Sequence, residues 1–212
     1  MSALQTILET GVIAIMRADS SEQLIAAADA IKAGGVRAIE VTMTTPDALG
    51  VIEQARARYG DEVLFGVGSV LDAETARAAI LAGAQFVVCP TLKVATIELC
   101  KRYSVPVFPG ALTPTEVLTA WEAGADVVKV FPSSFGGSKY IKALLAPLPQ
   151  VRLCPVGGVS AENAADFIGA GAAALGVGSA IVNSKILASG DLGALTERAR
   201  ALIAAVKEGR GA

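Results

Sequence analysis

The chain has 212 residues, 53% of them in the AVILMFWYC set, with 18 Lys and Arg against 20 Asp and Glu. That composition supplies a large core and excludes disorder, while a net charge of −2 and 5% aromatics leave neither a basic face nor a stacking platform for nucleic acid. The absence of histidine excludes imidazole-built zinc sites and Ser-His-Asp or Cys-His nucleophiles, so proton transfer falls to Glu, Asp, Lys, Tyr or Cys.

The opening MSALQTILET lacks the basic and long apolar regions of a secretory leader and is expected to form an N-terminal helix. Short β-rich runs then alternate with Ala-rich segments of helical period. GVIAIM runs into Arg17 and is followed by SSEQLIAAADAIKAGG. AIEVTM carries Glu40 in its interior. LFGVGSV, DAETARAAILAGA, QFVVC and PVFPG continue the alternation. TPTEVLTAWEAGA leads into VVKVF, which contains Lys129, and RLCPVG, SAENAADFIGAGA and ALGVG complete it. Several helical segments open on Ser, Thr or Asp with Glu soon after and close on Gly, the signature of capped helices. The near-apolar run from Ala170 to Val182 is too short and too Gly-rich to span a bilayer. Cys89, Cys100 and Cys154 make neither a CxxC pair nor an even disulfide set, and a reducing cytoplasm is expected.

An internal echo gives the count of units. AGGVRAIEV, AGAQFVV, AGADVVKV and AGAAALGV begin at Ala33, Ala82, Ala123 and Ala170, roughly every two βα units, and each is a helix end feeding a strand. Eight strands, each followed by a helix, predict a single-domain TIM (β/α)8 barrel over residues 1–212 with an N-terminal helix. The alternative is a doubly wound open sheet, whose GxGxxG fingerprint fails because Leu71 and Ile181 stand at the third glycine position.

Most charges fall in the helical segments, where a solvated face explains them. Arg17, Glu40 and Lys129 instead belong to three separate strands, and inward charges at strand C-terminal ends converge in a barrel. An internal ion pair that merely neutralises itself is the competing explanation. The glycine-rich ends CPVGGVS and GVGSAI, with Gly157, Gly158, Gly178 and Ser179, weigh against it. They fall in the two loops where this fold binds phosphate, and glycine lets backbone N–H groups approach an anion. Burial and a neighbouring cation favour the neutral form of an amine, and a neutral amine attacks ketones. A carboxylate beside it then moves protons. The set specifies Schiff-base chemistry on a keto acid, with no metal or organic cofactor.

The chain resembles the class I aldolases of 2-keto-3-deoxy-6-phosphogluconate and 4-hydroxy-2-oxoglutarate. The likeness runs from GVIAIMRADS through GGVRAIEVTMTTPDA, GVGSVLD, GAQFVVCP, VPVFPGALTPTE, VKVFPSS and PVGGVS to GVGSAIV. It implies Lys129 as the Schiff-base lysine and Glu40 as the acid/base. It implies Phe131 and Pro90 as walls of the pyruvate moiety, and Ser69, where the family usually has Thr, as a carboxylate contact. Gly157, Gly158, Gly178 and Ser179 match the phosphate loops. Many members hold the keto-acid carboxylate with an arginine where this chain has Thr44; others use the end of strand 1, so the clamp is assigned to Arg17. Phosphogluconate-type members often read PTGG, and the Val156 of PVGG, with FPSS, looks more like the phosphogalactonate branch.

The resemblance implies cleavage of a phosphorylated keto acid to pyruvate and D-glyceraldehyde 3-phosphate, activity on 4-hydroxy-2-oxoglutarate, no nucleic-acid or membrane partner, and a homotrimer. The alternatives are an aldolase for the phosphogalactonate epimer and a non-catalytic metabolite-binding barrel. Cys89 and Cys154, each just before a proline, are expected to be small buried hydrophobes.

Overall fold

The computed structural model describes residues 1–17 and 21–211; the expected helix opening at Ser20 lies outside them. Helix α1 (Ala3–Thr10) precedes strand β1 (Val12–Met16). Then follow α2 (Ser21–Ala33), β2 (Ala38–Thr42), α3 (Ala48–Tyr59), β3 (Leu64–Gly68), α4 (Ala73–Leu81), β4 (Val87–Val88) and α5 (Val94–Arg102). Strands β5 (Val107–Phe108) and β6 (Gly110–Ala111) lead into α6 (Pro114–Glu122), β7 (Val128–Val130), α7 (Gly137–Leu145), β8 (Leu153–Pro155), α8 (Ala161–Gly169) and β9 (Leu175–Val177). Helices α9 (Ser184–Ser189) and α10 (Leu192–Gly209) close the order.

All strand pairings are parallel. One sheet runs β5-β4-β3-β2-β1-β9 and a second runs β6-β7-β8. The run PVFPG, expected as one strand, is two, because Pro109 has no N–H to give to the ladder. Between β8 and β9 a single bridge pairs Val156 with Gly176. Each strand therefore neighbours its successor in the chain, the order that βαβ crossovers impose.

The strands are buried on both faces, as expected of parallel strands covered by helices. One face packs on the helices and gives the larger cluster, including Val12, Ala14, Val41, Phe65, Val67 and Val128. The opposite parity forms a separate cluster of Ile13, Ala38, Leu64, Phe86, Phe108, Val127 and Ala174. These residues sit early in or just before their strands, and Ile7 of α1 joins them with Ala3, Leu4 and Leu8 packed alongside. Helix α1 thus covers the strand N-terminal ends. Its last carbonyls, Leu8 and Glu9, accept from Arg210 at 2.6 Å each.

Local sequence explains the helix starts. Asp72 accepts from the Thr75 N–H at 2.6 Å, and Thr113 with Glu116 closes a capping box around Pro114. Among the described residues no helix is long and apolar enough to cross a membrane.

Candidate active site

The second inward layer differs from the first. Two residues beyond Ala38, in the same facing, lies Glu40; two beyond Val127 lies Lys129; two beyond Ile15 lies Arg17. The registers Ile15↔Glu40 and Gly110↔Lys129 align these positions across neighbouring strands. Lys129 is 6% exposed and Glu40 3%. They make no direct ion pair with each other, which tells against a self-neutralising internal pair. The Lys129 Nζ instead lies over the Phe131 ring, 5.1 Å from its centroid.

Burial pushes the Glu40 carboxyl above its ordinary range, opposed by the fields of Lys129 and then Arg17. Desolvation outweighs attraction, so this carboxyl is set up to hold a proton and release it. Burial also raises the Cys89 and Cys154 thiols, each to about 12. Both are buried and behave as small apolar groups.

Above this layer opens a cavity of about 830 Å³. Its wall carries Arg17, Thr44, Phe131, Val156, Gly157, Gly158, Gly178 and Ser179, so eight of the twelve expected site residues share one space. Lys129 and Glu40 are not on that wall; Lys129 adjoins it through the Phe131 ring. Ser69 and Pro90 lie just past the ends of β3 and β4 and are not on that wall either. Ser69 follows Gly68, against which the Glu40 carboxylate rests, and has φ 58, a left-handed conformation rare for serine. The Pro90 carbonyl lies against Gly110, the ladder partner of Lys129, and a Cβ there would collide with it.

Thr44, at the place of the missing arginine, shares a 2.8 Å hydroxyl contact with Thr42. Arg17 is the one guanidinium on the cavity wall among the described residues.

The glycine loops have an origin that sequence reading missed. The Ser133 hydroxyl, from the turn after β7, donates to the Gly157 carbonyl at 2.6 Å. Asn163, in the first turn of α8, donates from Nδ2 to the Gly158 carbonyl at 2.8 Å. In a trans peptide the following N–H points opposite its carbonyl, so both bonds turn the N–H groups of Gly158 and Val159 away from these partners. Among the described residues none accepts from the N–H of Gly158, Val159, Ser179 or Ala180. Free backbone donors on two adjoining loops are what an anion nest requires. In the sequence Ser133 stands only within FPSS, as a mark of substrate choice, and Asn163 only within a helical segment, which it also caps, accepting from the Ser160 N–H at 2.9 Å.

Comparison with known proteins gives a consistent picture. The family model described as "KDPG and KHG aldolase" matches residues 4–198. A 2-dehydro-3-deoxy-6-phosphogalactonate aldolase of Escherichia coli is 40% identical over 168 residues, covering 79% of this chain and 82% of that protein. The KHG/KDPG aldolase of the same organism is 32% identical over 208 residues, 97% of each chain. A KDPG aldolase from Legionella pneumophila, solved with pyruvate captured as a covalent carbinolamine, superposes with a TM-score of 0.88 at 26% identity, covering 95% of this chain and 98% of that one.

Proposed function

The chain belongs to the KDPG and KHG aldolase family as a class I carbon–carbon lyase, and from that premise we propose which residues carry the reaction and on what substrate. The Lys129 amine attacks the C2 ketone of 2-dehydro-3-deoxy-6-phosphogluconate. The carbinolamine loses water to give an iminium, with Glu40 delivering and removing the protons. Glu40 then takes the C4 hydroxyl proton, and the C3–C4 bonding electrons move into the iminium. D-glyceraldehyde 3-phosphate leaves; the enamine is protonated at C3 and hydrolysed to pyruvate, regenerating the amine.

The observation that carries this reading is the buried Lys129, set over the Phe131 ring of a cavity lined by Arg17 and both glycine loops. The guanidinium fork suits the keto-acid carboxylate, assisted by Ser69. Phe131 and Pro90 flank the pyruvate moiety. The free N–H groups beside Gly157, Gly158, Gly178 and Ser179 suit the terminal phosphate. 4-Hydroxy-2-oxoglutarate uses the same lysine without the phosphate contacts and yields pyruvate and glyoxylate.

A second reading, the phosphogalactonate epimer, is favoured by Val156 on the cavity wall and by the 40% identity to the Escherichia coli enzyme. An apolar side chain cannot select a C4 hydroxyl by hydrogen bonding. Lactate-dehydrogenase-coupled assays on both epimers decide between the readings. Borohydride with pyruvate is expected to label Lys129; an unlabelled folded protein whose cleavage requires added metal would sink the lysine assignment.

The same proposal has the chain act in the cytoplasm through one domain, residues 1–212, as a homotrimer that light scattering measures. Its strands close as an eight-stranded barrel, a reading supported by the Val156–Gly176 bridge and by the unbroken chain through Pro109.

A further inference from the structure

Strand β3 carries two inward glycines, and they do different work. A Cβ built on Gly66 would lie 2.5 Å from the Phe86 ring, so Gly66 admits an aromatic of the apolar layer. A Cβ built on Gly68 would overlap Oε1 and Cδ of Glu40 outright and sit 2.6 Å from its Cγ. Glu40 pairs with Gly66 in the ladder while Gly68 pairs with Thr42. The side chain therefore leans one step toward the strand C-terminal end and lies over Gly68.

Gly68 is absent from the positive-φ glycines, so its backbone conformation does not demand glycine. Nor does its carbonyl, which accepts from the Met43 N–H at 2.9 Å as any residue's would. What the position demands is the absence of a side chain. We infer that Gly68 is a positioning residue: it is the slot that holds the Glu40 carboxylate at the level of the Lys129 amine. This inference rests on the acid/base role proposed for Glu40.

The test compares Gly68→Ala, Glu40→Gln and the double variant. Gly68→Ala is expected still to trap pyruvate on Lys129 with borohydride, more slowly than the parent, since the amine is intact while the protons of iminium formation pass through Glu40. It is expected to lose cleavage turnover by on the order of 10²-fold, the range for a displaced acid/base group. Residues acting as a unit are non-additive, so the double variant is expected to turn over like Glu40→Gln alone. Turnover of Gly68→Ala within about threefold of the parent, or losses that multiply in the double variant, overturns the inference. Full turnover in Glu40→Gln removes the acid/base role itself, and the inference with it. Should Gly68→Ala fold poorly, Glu40→Ala/Gly68→Ala must regain the melting temperature of Glu40→Ala, because the truncated side chain frees the slot. Failure to regain it also overturns the inference.

Discussion

The two ends of the strand set are built on the same inward-facing positions and could hardly differ more. At the N-terminal end Ile13, Ala38, Leu64, Phe86, Phe108 and Val127 fill the space with apolar atoms, and Ile7 of α1 joins them. Two residues further along their strands the facing positions become Glu40, Gly66 and Lys129, and Arg17, just past the end of β1, stands on the cavity wall. The apolar end stabilises the fold, at about 1.5–3 kcal/mol for each fully buried large side chain. In the layer above, burial outweighs Lys129 and Arg17 in setting the Glu40 carboxyl. One end holds the molecule together; the other spends some of that stability on chemistry.

The largest test of this division is Lys129→Met, which keeps an apolar stem and deletes the amine. Turnover is expected to fall by on the order of 10⁴-fold or more, as for loss of an essential nucleophile, and the pyruvate adduct to vanish. The melting temperature should hold or rise, because an amine buried without a paired carboxylate is removed. A clear drop in melting temperature with partial activity would mean that Lys129 serves the fold.

Next in size is Glu40→Gln, for which turnover should drop about 10²- to 10⁴-fold. Its stability signature has a definite sign. The folded carboxyl binds its proton more tightly than the ordinary glutamate value of 4.5 allows. The stability at this site is therefore fully present below pH 4.5 and lost as pH rises through the folded value. Melting curves of the two proteins should coincide in acid and separate toward neutrality, with the glutamine form the more stable. Curves that separate in acid and merge at neutral pH would reverse the assigned cause.

Smaller effects are expected behind the phosphate loops. Ser133→Ala removes one hydrogen bond, to the Gly157 carbonyl, and Asn163→Ala two, to the Gly158 carbonyl and from the Ser160 N–H, each worth about 1 kcal/mol. Each should raise KM for the phosphorylated substrate about fivefold. Cleavage of 4-hydroxy-2-oxoglutarate, which lacks the phosphate, should not change. Equal losses on both substrates would show that the bonds serve the strands rather than the anion nest.

What the sequence disclosed follows the same division. The buried strand positions of Glu40 and Lys129 were legible, because a charge inside an apolar strand has few explanations. The order of strands was legible from the AG-led repeats. Ser133 and Asn163 were not, because a serine after proline and an asparagine at a helix start satisfy local rules and give no sign of a distant carbonyl. Gly68 was visible only as a motif glycine; its purpose needs the neighbouring strand. The split at Pro109 follows from proline's missing donor, yet the apolar run around it reads as continuous. Pairwise, long-range geometry is what a single chain read in order leaves out.

The smallest effect on turnover belongs to the apolar end, and it sharpens the contrast most. Ile7→Ala opens space under the first inward layer, where Ile7 is fully buried, and should cost about 2–5 kcal/mol of stability. If the two ends are independent, turnover per folded molecule at permissive temperature should stay within about a factor of two, as for well-separated sites. The pH at which the Glu40→Gln and parent melting curves diverge should not move. A shift of that point in the Ile7→Ala background would show that the apolar floor sets the Glu40 proton affinity through packing over two layers. The floor would then belong to the active site as well as to the fold.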